Sequence, residues 1–394
     1  MITSKSPRDV AIVALAAGRD AFSDYSHVYS PHKFTQPQLF ACLVLKEFEK
    51  KDYRGIAQFL GDLPDLRQVL GLRSVPHFTT LQKASRRLLK QKHVRQLIEL
   101  TARRIRGPST RVKYAAVDSS GFDAHHASRY FIYRTAVNKK GKQPRKKVSY
   151  KKFGKLMLIV CRATHAILAA VASAGPTPDV DQLAGILDRL PRSQRILHMV
   201  ADAGFDSGPN HRLLREYHGI RSTIPPEHGR PPKDPNALPT DKYRRLMKTR
   251  FNKKAYRKRP QVETVNSMLK RNFGTALRGR SHHSRCRDLY LRVLTHNIAL
   301  ALFRVFYRAG HKPFPRPARA GISEHRHPRH PAHFLQPPLE PWHRPPRRVR
   351  IHAVLRLLLH DQAMKPGRED GNSFPSGALR APAARNPSPT QTKK

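Results

Sequence analysis

The period of the apolar residues changes once along this chain, after Pro108, and that change bounds what it can fold into. From Asp9 to Ile105 apolar positions recur at helical spacing, and Pro37 suits the first turn of a helix carrying the run Leu39 to Phe48. Beyond Pro108, Lys113 to Val117, Lys155 to Val160, Ala166 to Val171 and Arg195 to Val200 are short apolar runs bounded by turns or charges. Helical patterns at Asp179 to Leu190 and Asn210 to His218 fall between or after them, and Ile220 to Ile224 reads as the last strand. This alternation predicts an α/β fold, a sheet covered by helices.

Prolines crowd the stretch Pro225 to Pro239, which marks a loop, and the intensely basic Tyr243 to Arg259 follows it. Helical spacing returns at Gln261 to Phe273 and Leu289 to Tyr307. Beyond Gly310 the pattern dissolves into prolines, histidines and arginines, and a packed core is not expected there apart from a short helix around Ile351 to His360. The expected organisation is therefore a helical region over 1–107, an α/β region over 108–308 and a disordered, low-complexity C-terminal tail over 309–394.

Charge narrows the partners. With 76 Lys and Arg against 27 Asp and Glu, the formal net charge is +49, far more than solubility requires, so a polyanion is the natural partner. Alternatives are a protein that merely coats nucleic acid or one that lies on a membrane surface. A membrane span is excluded, because the best apolar stretch, Leu156 to Ala174, is broken by Arg162 and His165. Val10 to Ala17 is short for a signal segment and runs into Arg19 and Asp20, so it reads as the first helix. Cys42, Cys161 and Cys286 are widely separated, indicating neither a zinc site nor a disulfide framework, and a reducing cytoplasm fits. In the N-terminal region, Phe78 to Leu89 and His93 to Ile105 form a helical pair carrying Lys83, Arg86, Arg87 and Lys90. The pair reads as a DNA-binding helix-turn-helix or, equally, as an amphipathic pair with a solvated basic face.

Three carboxylates stand out. Asp118 follows an apolar run and precedes Ser119, Ser120 and Gly121, and Asp202, followed by Ala203, Gly204 and Phe205, repeats the arrangement. Strand ends of an α/β sheet are where sites form, although either Asp alone is as readily a turn or cap residue. The third element is sharper: Tyr256, Arg259, Glu263 and Lys270 stand in the pattern Y-x2-R-x3-E-x6-K, with Pro260 at the expected helix start. Val262, Val265 and Leu269 would form that helix's buried stripe, and Glu263 and Lys270 would share an adjacent face.

With these motifs in this order, the stretch from about residue 30 to 307 resembles the DDE transposases of bacterial and archaeal insertion sequences. Within them it is similar to the group marked by a Tyr-Arg-Glu-Lys signature. The resemblance implies an RNase H-like mixed sheet flanked by helices, with Asp118 on the first strand, Asp202 after the fourth and Glu263 on a later helix. It implies that these three acids are catalytic and hold two Mg²⁺ or Mn²⁺ ions, and that Tyr256, Arg259 and Lys270 contact DNA. Expected partners are double-stranded DNA, as terminal repeats and target, and a second copy of the chain on that DNA, in a nucleoid-associated cytoplasmic setting. The tail departs from the family pattern.

The chemistry accounts for the residue types. Hydrolysing a phosphodiester needs an activated water and stabilisation of the leaving 3′ oxygen, which two ions about 4 Å apart can both supply when acidic side chains hold them. Hard oxygen donors suit Mg²⁺ or Mn²⁺ rather than zinc. Asp123, Asp206, His125 and His126 lie near the motifs, where they could support the metal ligands from behind, although turn or surface roles are the leading expectation. Asp179 and Asp181 read as acidic charges at a helix N-terminus. Lys139 to Lys152 and Arg244 to Arg259 should track the DNA backbone. The rival readings are a basic DNA-binding protein without catalysis, including a decayed transposase, and another RNase H-like nuclease.

Overall fold

Capping side chains fix where the N-terminal helices begin. Ser6 accepts the Asp9 N–H at 3.2 Å and Pro7 fills the first turn of α1 (Pro7–Ala21). Thr35 and Gln38 form a reciprocal capping box at the start of α2 (Gln36–Phe48), and Asp52 caps α3 (Tyr53–Asp62) through the Gly55 N–H. Helices α4 (Pro64–Leu70), α5 (Phe78–Leu88) and α6 (Gln91–Arg106) complete the helical region. Residues 39–45 of α2 are buried on every face, the mark of a helix at the centre of a core.

The computed structural model describes residues 5–107, 109–123, 153–175, 177–226, 238–257 and 259–308, all within one compact unit, Met1–Ile322. His125, His126, the run from Lys139 to Lys152 and the tail from 309, with its expected helix at Ile351 to His360, lie outside the described residues.

Seven strands follow: β1 (Arg111–Val112), β2 (Ala115–Phe122), β3 (Gly154–Cys161), β4 (Ile167–Ala174), β5 (Arg195–Ile196), β6 (His198–Val200) and β7 (Arg221–Thr223). Five form one sheet in the order β4-β3-β2-β6-β7, antiparallel from β4 to β2 and parallel from β2 to β7. Strand β3 is buried along its whole length, as expected of a strand covered on both faces. Within this sheet β2 is first and β6 fourth in chain order, the positions expected for the strands of Asp118 and Asp202.

Three expectations are corrected. The single strand expected over Arg195 to Val200 is two, because Leu197 is a pivot. Its N–H donates to Val112 O at 2.9 Å, on the side of the small β1–β5 pair, while its carbonyl accepts from Arg221 N at 3.0 Å, on the side of the main sheet. Strand β2 does not stop at Val117 but continues to Phe122, since β3 offers it a full antiparallel partner down to Gly154. The helix expected over Asp179 to Leu190 shrinks to a 3₁₀ turn at Val180–Gln182 and the short α7 (Leu183–Leu187). Helix α8 (Gly208–Arg212) continues as a π turn over Leu213–Tyr217.

The remaining helices are α9 (Lys242–Thr249), α10 (Lys253–Tyr256), α11 (Pro260–Phe273) and α12 (His282–Arg308). Helix α12 packs against β4, the edge strand, and against α6. An edge strand buried under a helix must have its outward backbone groups met by something. Asn297, fully buried, accepts the Ile167 N–H and donates to the Ile167 carbonyl, both at 2.9 Å, and donates to Thr101 Oγ1 at 3.2 Å. The Tyr290 hydroxyl accepts the Ala172 N–H at 3.2 Å. One hydrophobic cluster therefore runs from the N-terminal helices through α12 into the sheet. No helix among the described residues is long and apolar enough to cross a membrane.

Asn297→Leu keeps the volume but orphans both backbone groups of Ile167, each at a cost of about 1–3 kcal/mol. A urea titration is expected to show a lower midpoint with an unchanged slope; an unchanged midpoint would show that the edge does not depend on this amide.

Candidate active site

Asp118 lies in the middle of β2, paired across from Leu158, and strand alternation sets it on the opposite face from buried Val117. Helix α11 packs against β2 and β3 through Val262, Val265 and Leu269, the stripe its spacing predicts, and Phe273 extends it. Glu263, in the first turn, and Lys270, two turns on, thereby face the strand that carries Asp118. Asp118, Ser119, Glu263, Asn266 and Lys270 line one cleft of about 450 Å³. The first turn of α11 is held by a hydrogen bond between Gln261 and His165, in the turn joining β3 to β4.

Asp202 follows β6 and starts a 3₁₀ turn at Ala203–Phe205, its carboxylate accepting the Ala203 N–H at 2.9 Å. The Arg259 guanidinium connects it to α11, with Nη1 3.6 Å from Asp202 Oδ2 and Nη2 2.5 Å from Glu263 Oε1. The Tyr256 side chain hydrogen-bonds Asp202, its ring lies 5.9 Å from the Arg259 guanidinium, and it packs on Phe251. Lys270 Nζ stands 5.5 Å from the centre of the buried Phe122 ring. The residues singled out in the sequence thus meet in two linked sets: Asp118, Glu263 and Lys270 around the cleft, and Asp202, Tyr256, Arg259 and Glu263 around the guanidinium.

Electrostatics in this region are set first by burial. Burial pushes the Asp118 carboxyl up to about 6, the Asp179 and Asp202 carboxylates push the same way, and the Ser119 backbone and Arg259 oppose them. Among the described residues no three His, Cys, Asp or Glu side chains stand close enough to hold one metal ion by themselves. The donor set is nevertheless all oxygen, and a cation already sits between two of its members, the guanidinium of Arg259. That chemistry fits a hard divalent ion.

Some contributors are not where the sequence reading put them. Asp179 does stand at the start of the 3₁₀ turn Val180–Gln182, as expected, but it also pairs with Lys155 Nζ at 2.6 Å and acts electrostatically on Asp118. Asp206 is not at the surface: its fully buried carboxylate holds Arg244 at 2.8 Å and His211 at 3.2 Å, and His211 in turn meets Ser222 Oγ at 2.8 Å. Arg244 is therefore engaged inside the protein, within a segment expected to track DNA. Asn266 was missed altogether. It donates to Asp118 Oδ2 at 3.2 Å from a position in the apolar stripe of α11, one turn past Val262, and a polar residue at such a buried position was the available signal.

Comparison with known proteins adds one finding. Residues 113–298 match the family model of the transposase DDE domain. That stretch contains all six residues singled out above and the whole five-stranded sheet, so the sheet and its helices are the RNase H-like fold of a DDE domain. DDE domains are phosphoryl-transfer domains that work on DNA. No curated protein matches the chain. A solved structure, "Crystal structure of a pre-cleavage Mos1 transpososome", aligns at 12% identity over 74% of this chain and 83% of that one, with a TM-score of 0.17, too low for the superposition to bear on the fold.

Only the ionised Asp118 can attract a cation, so protons compete with metal below its pKa. With that carboxyl at about 6, Mn²⁺ affinity of the DNA-free protein is expected to be flat above pH 6 and to fall about tenfold per unit below it. A Mn²⁺ titration followed by electron paramagnetic resonance across this range reads the effect, and affinity unchanged down to the ordinary carboxylate range would remove Asp118 from the site.

Proposed function

We propose that this chain is a transposase that cleaves DNA at the ends of an insertion sequence and joins the freed 3′ ends to target DNA. The observation that carries the reading is the cleft in which Asp118 from β2 and Glu263 and Lys270 from α11 converge, with Asp202 tied to Glu263 by Arg259. Asp118, Asp202 and Glu263 are assigned as the ligands of two Mg²⁺ or Mn²⁺ ions, which when bound supply an activated water and neutralise charge on the leaving oxygen.

The protein's own groups do the rest. Asp118 sits on a strand paired with β3 along its whole length and with β6 at its start, and so holds its position. Arg259 neutralises Asp202 and Glu263 before the ions arrive and turns to the DNA phosphates afterwards, where its fork suits phosphate oxygens. Lys270, a point charge over Phe122, contacts the backbone near the cut. Tyr256 orients Asp202. The helical region 1–107 supplies DNA contacts through exposed Lys83, Arg86 and Lys90; 108–308 is the catalytic domain and 309–394 an appended tail. Two copies act together on paired ends, in the nucleoid-bearing cytoplasm of a bacterium or archaeon.

Asp118→Asn, Asp202→Asn and Glu263→Gln are each expected to abolish Mg²⁺-dependent cleavage while leaving DNA binding intact, read by end cleavage and by joining to a target plasmid. Near-normal cleavage by any of them removes that residue from the ligand set. A protein that binds ends but neither cleaves nor joins would be a DNA-binding protein only, and one that cleaves without joining would be a nuclease.

Lys270→Ala is expected to flatten the slope of log affinity against log salt on a cognate end by about 0.9, the loss of one phosphate contact on duplex DNA. An unchanged slope together with unchanged cleavage would leave Lys270 as a packing partner of Phe122.

A further inference from the structure

Asn266 occupies a position that its helix gives to the core, yet its two amide atoms are treated unequally. The residue is only 6% exposed and lies in the wall of the cleft with Asp118 and Glu263. Its Nδ2 donates to Asp118 Oδ2 at 3.2 Å, while its Oδ1 is buried and has no hydrogen-bond partner. Turning the amide over would not help, because Oδ1 would then face the Asp118 carboxylate, acceptor against acceptor. Ser119, Ser120 and Ser267 line the same cleft, and none of their hydroxyls reaches it. A buried acceptor left unmet is costly, so a carbonyl kept in this state beside two carboxylates points to a partner that is itself positive or a strong donor.

We propose that Asn266 is the fourth oxygen side chain of the cation site between Asp118 and Glu263. Its amide N–H fixes the rotamer of Asp118, and its carbonyl meets the divalent ion, directly or through a water the ion carries. Carbonyl oxygens of Asn serve hard divalent cations alongside carboxylates, and groups that orient metal ligands typically matter about 10–100-fold in metal affinity. The inference rests on the assignment of Asp118 and Glu263 as ion ligands. It adds a residue three positions after Glu263, on the face of α11 that meets β2.

The test is a Mn²⁺ titration of the full chain without DNA, followed by electron paramagnetic resonance, with thermal melts in the presence and absence of Mn²⁺. Asn266→Ala is expected to weaken Mn²⁺ binding roughly 10–100-fold and to lose most of the metal-induced rise in melting temperature. Its metal-free melt should be unchanged or higher, because the orphaned carbonyl is gone. Asn266→Asp, which restores an oxygen at the same place, is expected to bind Mn²⁺ at least as tightly as the wild type. Wild-type affinity in Asn266→Ala, with affinity lost in Asp118→Asn, would overturn the proposal and leave the assignment of the acids standing. Should the alanine variant not fold, weakened binding in a folded Asn266→Asp overturns it instead. Failure of the wild type to bind Mn²⁺, or undiminished binding in both Asp118→Asn and Glu263→Gln, overturns the underlying assignment together with the proposal.

Discussion

A carboxylate taken out of water on a sheet resists ionising, and much of the site is arranged around that cost. Asp118 sits where water is scarce and where Asp179 and Asp202 act on it through space, so its ionised form is disfavoured. Each neighbour carries an answer: Lys155 pairs with Asp179, Arg259 lies between Asp202 and Glu263, and Asn266 donates to Asp118. These contacts offset the charge without removing it, and the excess that remains is what the proposed dication would neutralise.

Behind the cleft, a second set of charges holds the scaffold in register. Arg292 of α12, only 3% exposed, donates to Glu47 of α2 at 3.0 Å and to the carbonyls of Gly274, at 2.7 Å, and Ala276, just past the end of α11. Lys46 pairs with the same Glu47. A buried ion pair is weak evidence for net stability, but one whose two terminal nitrogens each donate to a fixed backbone carbonyl dictates geometry. Here it ties the N-terminal helices to the exit of α11. The Phe122 ring, at the end of the strand that carries Asp118, has Arg292 at 5.4 Å and Lys270 at 5.5 Å from its centre. The same aromatic residue therefore meets both a buried structural cation and one that lines the cleft.

How much of this was legible in the sequence depends on whether the information is local. The α11 stripe was readable because a helix's buried face follows from spacing alone, and Pro260 marks its start. The sheet was readable as apolar runs, and the family resemblance placed Asp118 on its first strand and Asp202 after its fourth. The split at Leu197 was not, because it depends on which sheet takes its N–H and which its carbonyl, a question of partners distant in the chain. The same holds for Asp206, whose turn-like context conceals a fully buried carboxylate that needs Arg244 from beyond the proline-rich loop. Asn266 was legible in principle as a polar residue in an apolar stripe, but its partner Asp118 belongs to a strand far away in the sequence.

The Asp206 cluster also bears on how the two sets of site residues come together. Arg244 of the basic segment and Asp241, which caps α9, are bound to Asp206 and Arg212 respectively, and the Tyr243 hydroxyl donates to Glu216 at 2.8 Å, so α9 is fastened to the region that follows β6. Asp202 lies at the start of that region, and Tyr256, Arg259 and Glu263 lie just beyond α9. Fastening α9 thus shortens the free path between the second acidic motif and the third, which lowers the entropy lost in bringing them together. The basic segment serves the protein's own geometry through the side chains that face inward. The charge left facing outward, on residues such as Lys253, Lys254 and Arg257, remains for an anion outside. One segment can meet both demands because the alternation of inward and outward positions along α9 and α10 divides its cations between an acidic interior anchor and the surface.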